Sequence, residues 1–176
     1  MRKIKAHQIA VFSPMMALSI SLGIYAAVYL FGNNGIINVA GYNQIAVFIF
    51  SLILIYFSAV IFYRIFFKIF PFTSGEVLQD SRRETLAHVY ALFQLFFFYP
   101  VTLSGLLPPP LTRPFYRMLG AKLGKNTYSG GVINDPMFFT AGANCIIGLK
   151  SSIICHAMEG QYLAYHHTII PVAFLH

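Results

Sequence analysis

Two long apolar runs without a charged residue occupy most of the first seventy positions, and they restrict the fold more than any motif further on. Ile9 to Phe31 is the first. As a helix rising 1.5 Å per residue it reaches roughly 30–35 Å, enough to cross the hydrocarbon core with some tilt. Pro14 lies in its first turns, where it costs little. Ser13, Ser19, Ser21 and Gly23 offer a small-residue face for a partner helix. Gly32-Asn33-Asn34-Gly35 reads as a turn. A second run, Ile45 to Tyr63, is closed by Arg64 and Lys68, whose stems are long enough to snorkel. The expectation is a two-pass transmembrane hairpin over 1–71. The opening Met-Arg-Lys-Ile-Lys resembles the start of a signal peptide. The apolar run is too long for one, however, and no small-residue cleavage site closes it before Gly32, so it reads as an uncleaved first span.

Composition supports the same class. Hydrophobic residues make up 57% of the chain and charged residues 10%, with a mean hydropathy of +0.68, so a water-soluble surface of ordinary charge density cannot be built. The net charge is +7, from 12 Lys and Arg against 5 Asp and Glu. The basic residues are scattered between apolar runs, which argues against nucleic acid and for the headgroups of a lipid bilayer. Arg2, Lys3 and Lys5 precede the first span, Arg64, Lys68, Arg82 and Arg83 follow the second, and the intervening loop has none. By the positive-inside rule both ends are cytoplasmic, in a multi-pass protein of the plasma (inner) membrane. Two cysteines, Cys145 and Cys155, are too few for a disulfide framework.

A third apolar stretch, Leu86 to Leu107, contains His88, Gln94 and Pro100 and has basic residues on both flanks. A crossing would put one basic flank outside, so an interfacial helix, or a re-entrant segment broken near Pro100, is expected over 72–112. Ser81 and Glu84 have capping-box spacing, which starts that helix at Arg82. Pro108, Pro109 and Pro110 read as a stiff, extended linker.

Beyond the prolines the period changes to six. Steps from Leu123 fall on Ser129, Asp135, Ala141, Ile147 and Ile153, and glycine follows at Gly124, Gly142 and Gly148. Thr127, Ile133, Phe139, Cys145, Ser151 and Ala157, four residues after each step, are mostly small or apolar. A six-residue period of aliphatic residue, glycine and small residue is the signature of a left-handed parallel β-helix, expected over 113–176. Ser129 and Asp135 are the two steps that lack the aliphatic residue. Asn134-Asp135-Pro136 reads as a turn, with a catalytic role for Asp135 as the minor alternative. The fold class is therefore mixed: an N-terminal transmembrane α-hairpin and an interfacial helix, followed by a short left-handed parallel β-helix.

The segments "PLTRPFYRMLGAKLGKNTYS", "GVINDP", "CIIG" and "HAMEG", spanning Pro110 to Glu159, resemble the membrane-associated hexapeptide-repeat acyltransferases. Within that superfamily they are most similar to the hexapeptide domains of nonribosomal-peptide-synthetase-like polymer synthetases. The resemblance implies transfer of an acyl group from acetyl-CoA or another acyl-CoA to a hydroxyl or amine. It also implies a homotrimer and a histidine base on a coil edge. The matching position is His156, in Cys155-His156-Ala157-Met158-Glu159. Histidine is well matched to taking a proton at neutral pH, and Glu159, three residues on, stands where it can orient His156 or contact the acceptor. The alternative for His156 is a structural histidine at a coil corner.

No metal is expected. Cys145, Cys155 and His156 contain no Cys-x-x-Cys pair, and sequence-adjacent Cys and His rarely point at one ion. His166-His167 has no partner motif, and Lys122, Lys125 and Lys150 read as solvated lysines or as attractors of a phosphorylated cofactor. The repeat is expected to stop after Glu159, leaving roughly two coils. Two functions follow from this. One is a membrane-anchored acyltransferase acting on an amphipathic or lipid-linked acceptor. The other is a catalytically inactive or truncated subunit with a structural role in an assembly.

Overall fold

The two apolar runs fold as α1 (Ala6–Phe31) and α2 (Asn43–Ile69), both long and apolar enough to cross a membrane. They form one of two compact units in the computed structural model, covering residues 5–69; the other is built from Phe70 onward. The structure describes residues 3–39, 41–105 and 107–171. On α1 the buried residues Ser19, Gly23, Ala27 and Phe31 recur every fourth position and so share one face. Gly23 is there for close approach, since a Cβ would lie 2.6 Å from the backbone nitrogen of Ile55. Ser58 Oγ donates to the Ser19 carbonyl at 2.9 Å, and Phe31 stacks on Phe50 at 4.1 Å. Of the small residues expected on this face, Ser13 and Ser21 lie on exposed positions instead. They are out of step with the four-residue ridge.

The second unit begins with β1 (Gly75–Val77) and a helix capped by Ser81, whose Oγ accepts the Glu84 N–H at 3.1 Å. Glu84 Oε2 accepts the Asp80 N–H at 3.0 Å. Those bonds start α3 (Arg82–Phe93) at the expected residue. The expected break near Pro100 takes another form. Helix α3 runs through one π-helical turn, Gln94–Phe98, into α4 (Tyr99–Leu103). Proline has no N–H to give, and the wide turn before it closes through Tyr99 N–H to the Gln94 carbonyl. Arg82–Leu103 is a third helix long and apolar enough to cross a membrane. Its apolar window is 56% buried, against 17% in α1 and α2, because it carries buried Glu84, His88 and Gln94 and a large aromatic contact surface.

Only Pro108 is extended. Pro109 and Pro110 open α5 (Pro109–Met118) rather than forming a linker, because a missing N–H loses nothing in the first turn. Tyr116 anchors α5 to the strands that follow: its hydroxyl donates to the Gly131 carbonyl at 3.4 Å and accepts the Ile133 N–H at 3.1 Å.

Six short strands come next: β2 (Lys122–Leu123), β3 (Tyr128–Ser129), β4 (Val132–Ile133), β5 (Phe139–Ala141), β6 (Ile146–Ile147) and β7 (Ser152–Ile153). They pair in parallel, Leu123 with Ala141 and Ser129 with Ile147, each 18 residues apart. Three six-residue steps thus return the chain to its own side. The stepped residues Leu123, Ser129, Asp135, Ala141 and Ile147 are all buried, as are Thr127, Ile133, Phe139 and Cys145 four places later. Glycine does not make the corners. Asn126, Asn144 and Lys150 hold the left-handed backbone, with φ between 56° and 63°. Gly124 is needed because a Cβ would lie 2.5 Å from the backbone of Gly142 and Ala143 on the neighbouring strand connection.

The third pairing breaks step. Ile133 sits opposite Ile153, 20 residues on. The chain then leaves the parallel arrangement for a hairpin of β8 (His156–Glu159) and β9 (Tyr162–Tyr165), which joins β1 in an antiparallel sheet ordered β1-β9-β8. It returns as β10 (Thr168–Ile170), parallel to β5, with Thr168 opposite Phe139. Parallel pairing therefore continues beyond Glu159, although no six-residue step does. The intervening hairpin sets the offset of this pairing at 29 residues.

Candidate functional site

The break in step is where the chemistry gathers. Asp135 occupies one of the two stepped positions that lack an aliphatic residue, and it is 2% exposed. A carboxylate buried so deeply must find donors. Its Oδ2 accepts the Cys155 N–H at 2.8 Å and lies 2.7 Å from His156 Nδ1. Because that oxygen already accepts a backbone N–H, it meets the ring as an acceptor, so Nδ1 carries the proton and donates it. Nε2 is left with the lone pair.

His156 is half-buried at the start of β8. The hydrogen bond it donates to Asp135 raises its pKa above the ordinary imidazole value; burial opposes the rise, and the charge of Asp135 adds to it. Tyr165, opposite His156 on β9, has its ring centroid 5.5 Å from the imidazole. Burial pushes the Tyr165 hydroxyl well above the usual phenol range, and the Asp135 charge pushes it further. Tyr165 also belongs to a cluster with Phe72, Tyr90 and Phe138, whose ring centroids lie 4.9–6.1 Å apart. That cluster fixes the hairpin against α3. Between them is a cavity of about 280 Å³, lined by Asp135 and His156 on one side and by Ala87, Gln94, Leu95 and Leu163 among others.

Glu159 is elsewhere. It ends β8 opposite Tyr162, and alternation along the strand sets it on the face away from His156. There it lines a larger, open groove of about 690 Å³ with Glu76, Gln79 and Tyr162. That groove holds neither member of the Asp135–His156 pair, so its greater size does not make it the better site. The residue that orients His156 is Asp135.

The cysteines do not join the pair. Cys145 Sγ lies 3.5 Å from the Ala143 carbonyl, and burial pushes the Cys155 thiol up, partly offset by hydrogen bonds from Thr168. His166 spends its backbone N–H on the Cys155 carbonyl, and His167 Nε2 lies 2.9 Å from Thr140 Oγ1. Lys122, Lys125 and Lys150 are exposed. Among the described residues no three of His, Cys, Asp and Glu converge as metal ligands would.

No protein-family model matches the chain, and neither a curated protein nor a solved structure matches it significantly.

By sequence Asp135 reads first as a turn residue and only second as a catalytic one. The signal was present, since a carboxylate on an inward step is a group that needs a partner. For Tyr165 and Phe72 there was no such signal, because antiparallel pairing brings them in from outside the period.

Proposed function

We propose that this chain is a membrane-anchored acyltransferase with His156 as general base. The observation that carries the reading is the hydrogen bond from His156 Nδ1 to buried Asp135 beside an apolar cavity. It holds one tautomer and leaves Nε2 ready to take a proton. In the reaction, Nε2 takes the proton from an acceptor hydroxyl or amine as that atom attacks the carbonyl carbon of an acyl-CoA thioester. The tetrahedral intermediate collapses, the carbon–sulfur bond breaks, and the departing thiolate takes the proton back from Nε2. The base is regenerated, and the coenzyme leaves as its free thiol.

The 18-residue parallel register and the inward stepped residues support a left-handed parallel β-helix as the scaffold, interrupted by the β8–β9 hairpin. The resemblance to hexapeptide-repeat acyltransferases supports a trimer. The charge asymmetry supports an inner-membrane hairpin with the catalytic part on the cytoplasmic side. The acceptor is amphipathic or lipid-linked, since a membrane anchor raises the local concentration of such a molecule. The test is acyl transfer by the purified full chain with radiolabelled acyl-CoA and membrane extract, comparing wild type with His156→Ala. Label in a lipid or polymer fraction from wild type alone upholds the reading. No transfer from folded wild type favours the non-catalytic subunit.

A further inference from the structure

Gln94 is the odd residue in the cavity beside His156. It opens the π-helical turn, is 2% exposed, and its Nε2 has no hydrogen-bond acceptor among the described residues. A buried amide donor left unpaired is costly, and such a group persists where something absent from the free protein completes it. Single π turns within helices frequently mark such places. Besides His88, Tyr90 and Tyr99, the lining includes Ala91, Met158 and Leu163, and most of its surface is apolar. An apolar wall offers water little to bond and favours an apolar occupant. The volume of about 280 Å³ is several times what an acetyl group fills, and it approaches the lower end of small-molecule pockets.

We propose that this cavity binds a fatty acyl chain several carbons longer than acetyl, with Gln94 Nε2–H donating to the acyl carbonyl oxygen next to His156. The assignment rests on the reading of His156 as the base of acyl transfer. Substrate choice follows from it: the apolar chain fills the space between α3 and β9, and the buried Gln94 donor meets the carbonyl oxygen of the acyl group.

The probe is octanoyl-CoA bearing a photoreactive diazirine in its chain, offered to the full-length protein in nanodiscs, with site mapping and a separate turnover assay. Crosslinks are expected within residues 87–99 or 156–165. Ala91→Phe, a substitution at an exposed position that fills the space, is expected to cut crosslinking at least tenfold. Gln94→Leu is expected to weaken binding about three- to tenfold, the range of one hydrogen bond. Acetyl-CoA should compete poorly. Crosslinks mapping elsewhere in the wild type overturn the proposal, whether or not either variant folds. So does crosslinking that is indifferent to both substitutions. Site-specific crosslinking without turnover would uphold the acyl pocket and remove the transfer reading. Turnover with the label elsewhere would do the reverse.

Discussion

Asp135 fixes which nitrogen of half-buried His156 holds the proton. Its charged partner also makes His156 a pH-dependent contributor to stability. The pKa of His156 is raised in the folded protein, so its stabilising contribution is fully present below the unfolded value, about 6.5, and fades as pH rises through the folded value. The stability difference between wild type and His156→Gln is therefore expected to shrink between pH 6 and pH 9 in thermal unfolding. A difference that stays constant would mean the pair is not coupled. Asp135→Ala has a second consequence, because it also strands the buried Cys155 N–H. Its cost is expected to be about 1–3 kcal/mol in denaturant unfolding even at a pH where His156 is neutral. Glu159→Gln, on the other face of β8, should leave the pH dependence of transfer where it was.

At the scale of elements, the six-residue period carried the burial pattern but not its causes. Inward steps at Leu123, Ala141 and Ile147 were legible because an aliphatic residue declares an apolar site. The role of glycine was not, because close approach depends on the neighbouring strand connection and not on local sequence. The structure separates two glycines that look equivalent in the repeat. A Cβ on Gly124 meets backbone at 2.5 Å, whereas one on Gly148 has nothing within 4 Å. Gly124→Ala is expected to cost about 1–3 kcal/mol by overpacking, and Gly148→Ala to stay within about 0.5 kcal/mol. Thermal unfolding of both variants checks this, and equal effects would refute the close-approach account. The helix boundaries at Arg82 and Phe31 were readable from a cap and a turn. The π turn before Pro100 was not, since proline announces a lost hydrogen bond without saying how the helix absorbs it. The same limit hid the hairpin. Nothing periodic in Tyr162–Tyr165 shows that the chain will pair backwards with Gly75–Val77, about ninety residues earlier.

For the whole molecule, two helices long and apolar enough to cross a membrane precede a strand-rich unit that carries the Asp135–His156 pair. The two long apolar helices were legible from hydropathy because it acts over many residues. The site was half legible: His156 was named from its motif, but its partner came from a step 21 residues earlier. Orientation is open to a direct check, because both native cysteines are buried and give little background. In intact cells, an impermeant maleimide is expected to label Asn34→Cys, while Lys150→Cys reacts only after permeabilisation. The opposite pattern would invert the topology.

The proposed role of Asp135 in setting His156 as a base is tested most directly by the pH profile of kcat/KM for acyl transfer by wild type and Asp135→Asn. In wild type the acidic limb should lie above pH 6.5, because the base must lose a proton whose pKa Asp135 raises. In Asp135→Asn the limb should move down toward 6.5, and the plateau should fall, on the order of 10²-fold or more, as the tautomer is no longer held. Superimposable profiles, or an Asp135→Asn enzyme as active as wild type on the plateau, would contradict the account.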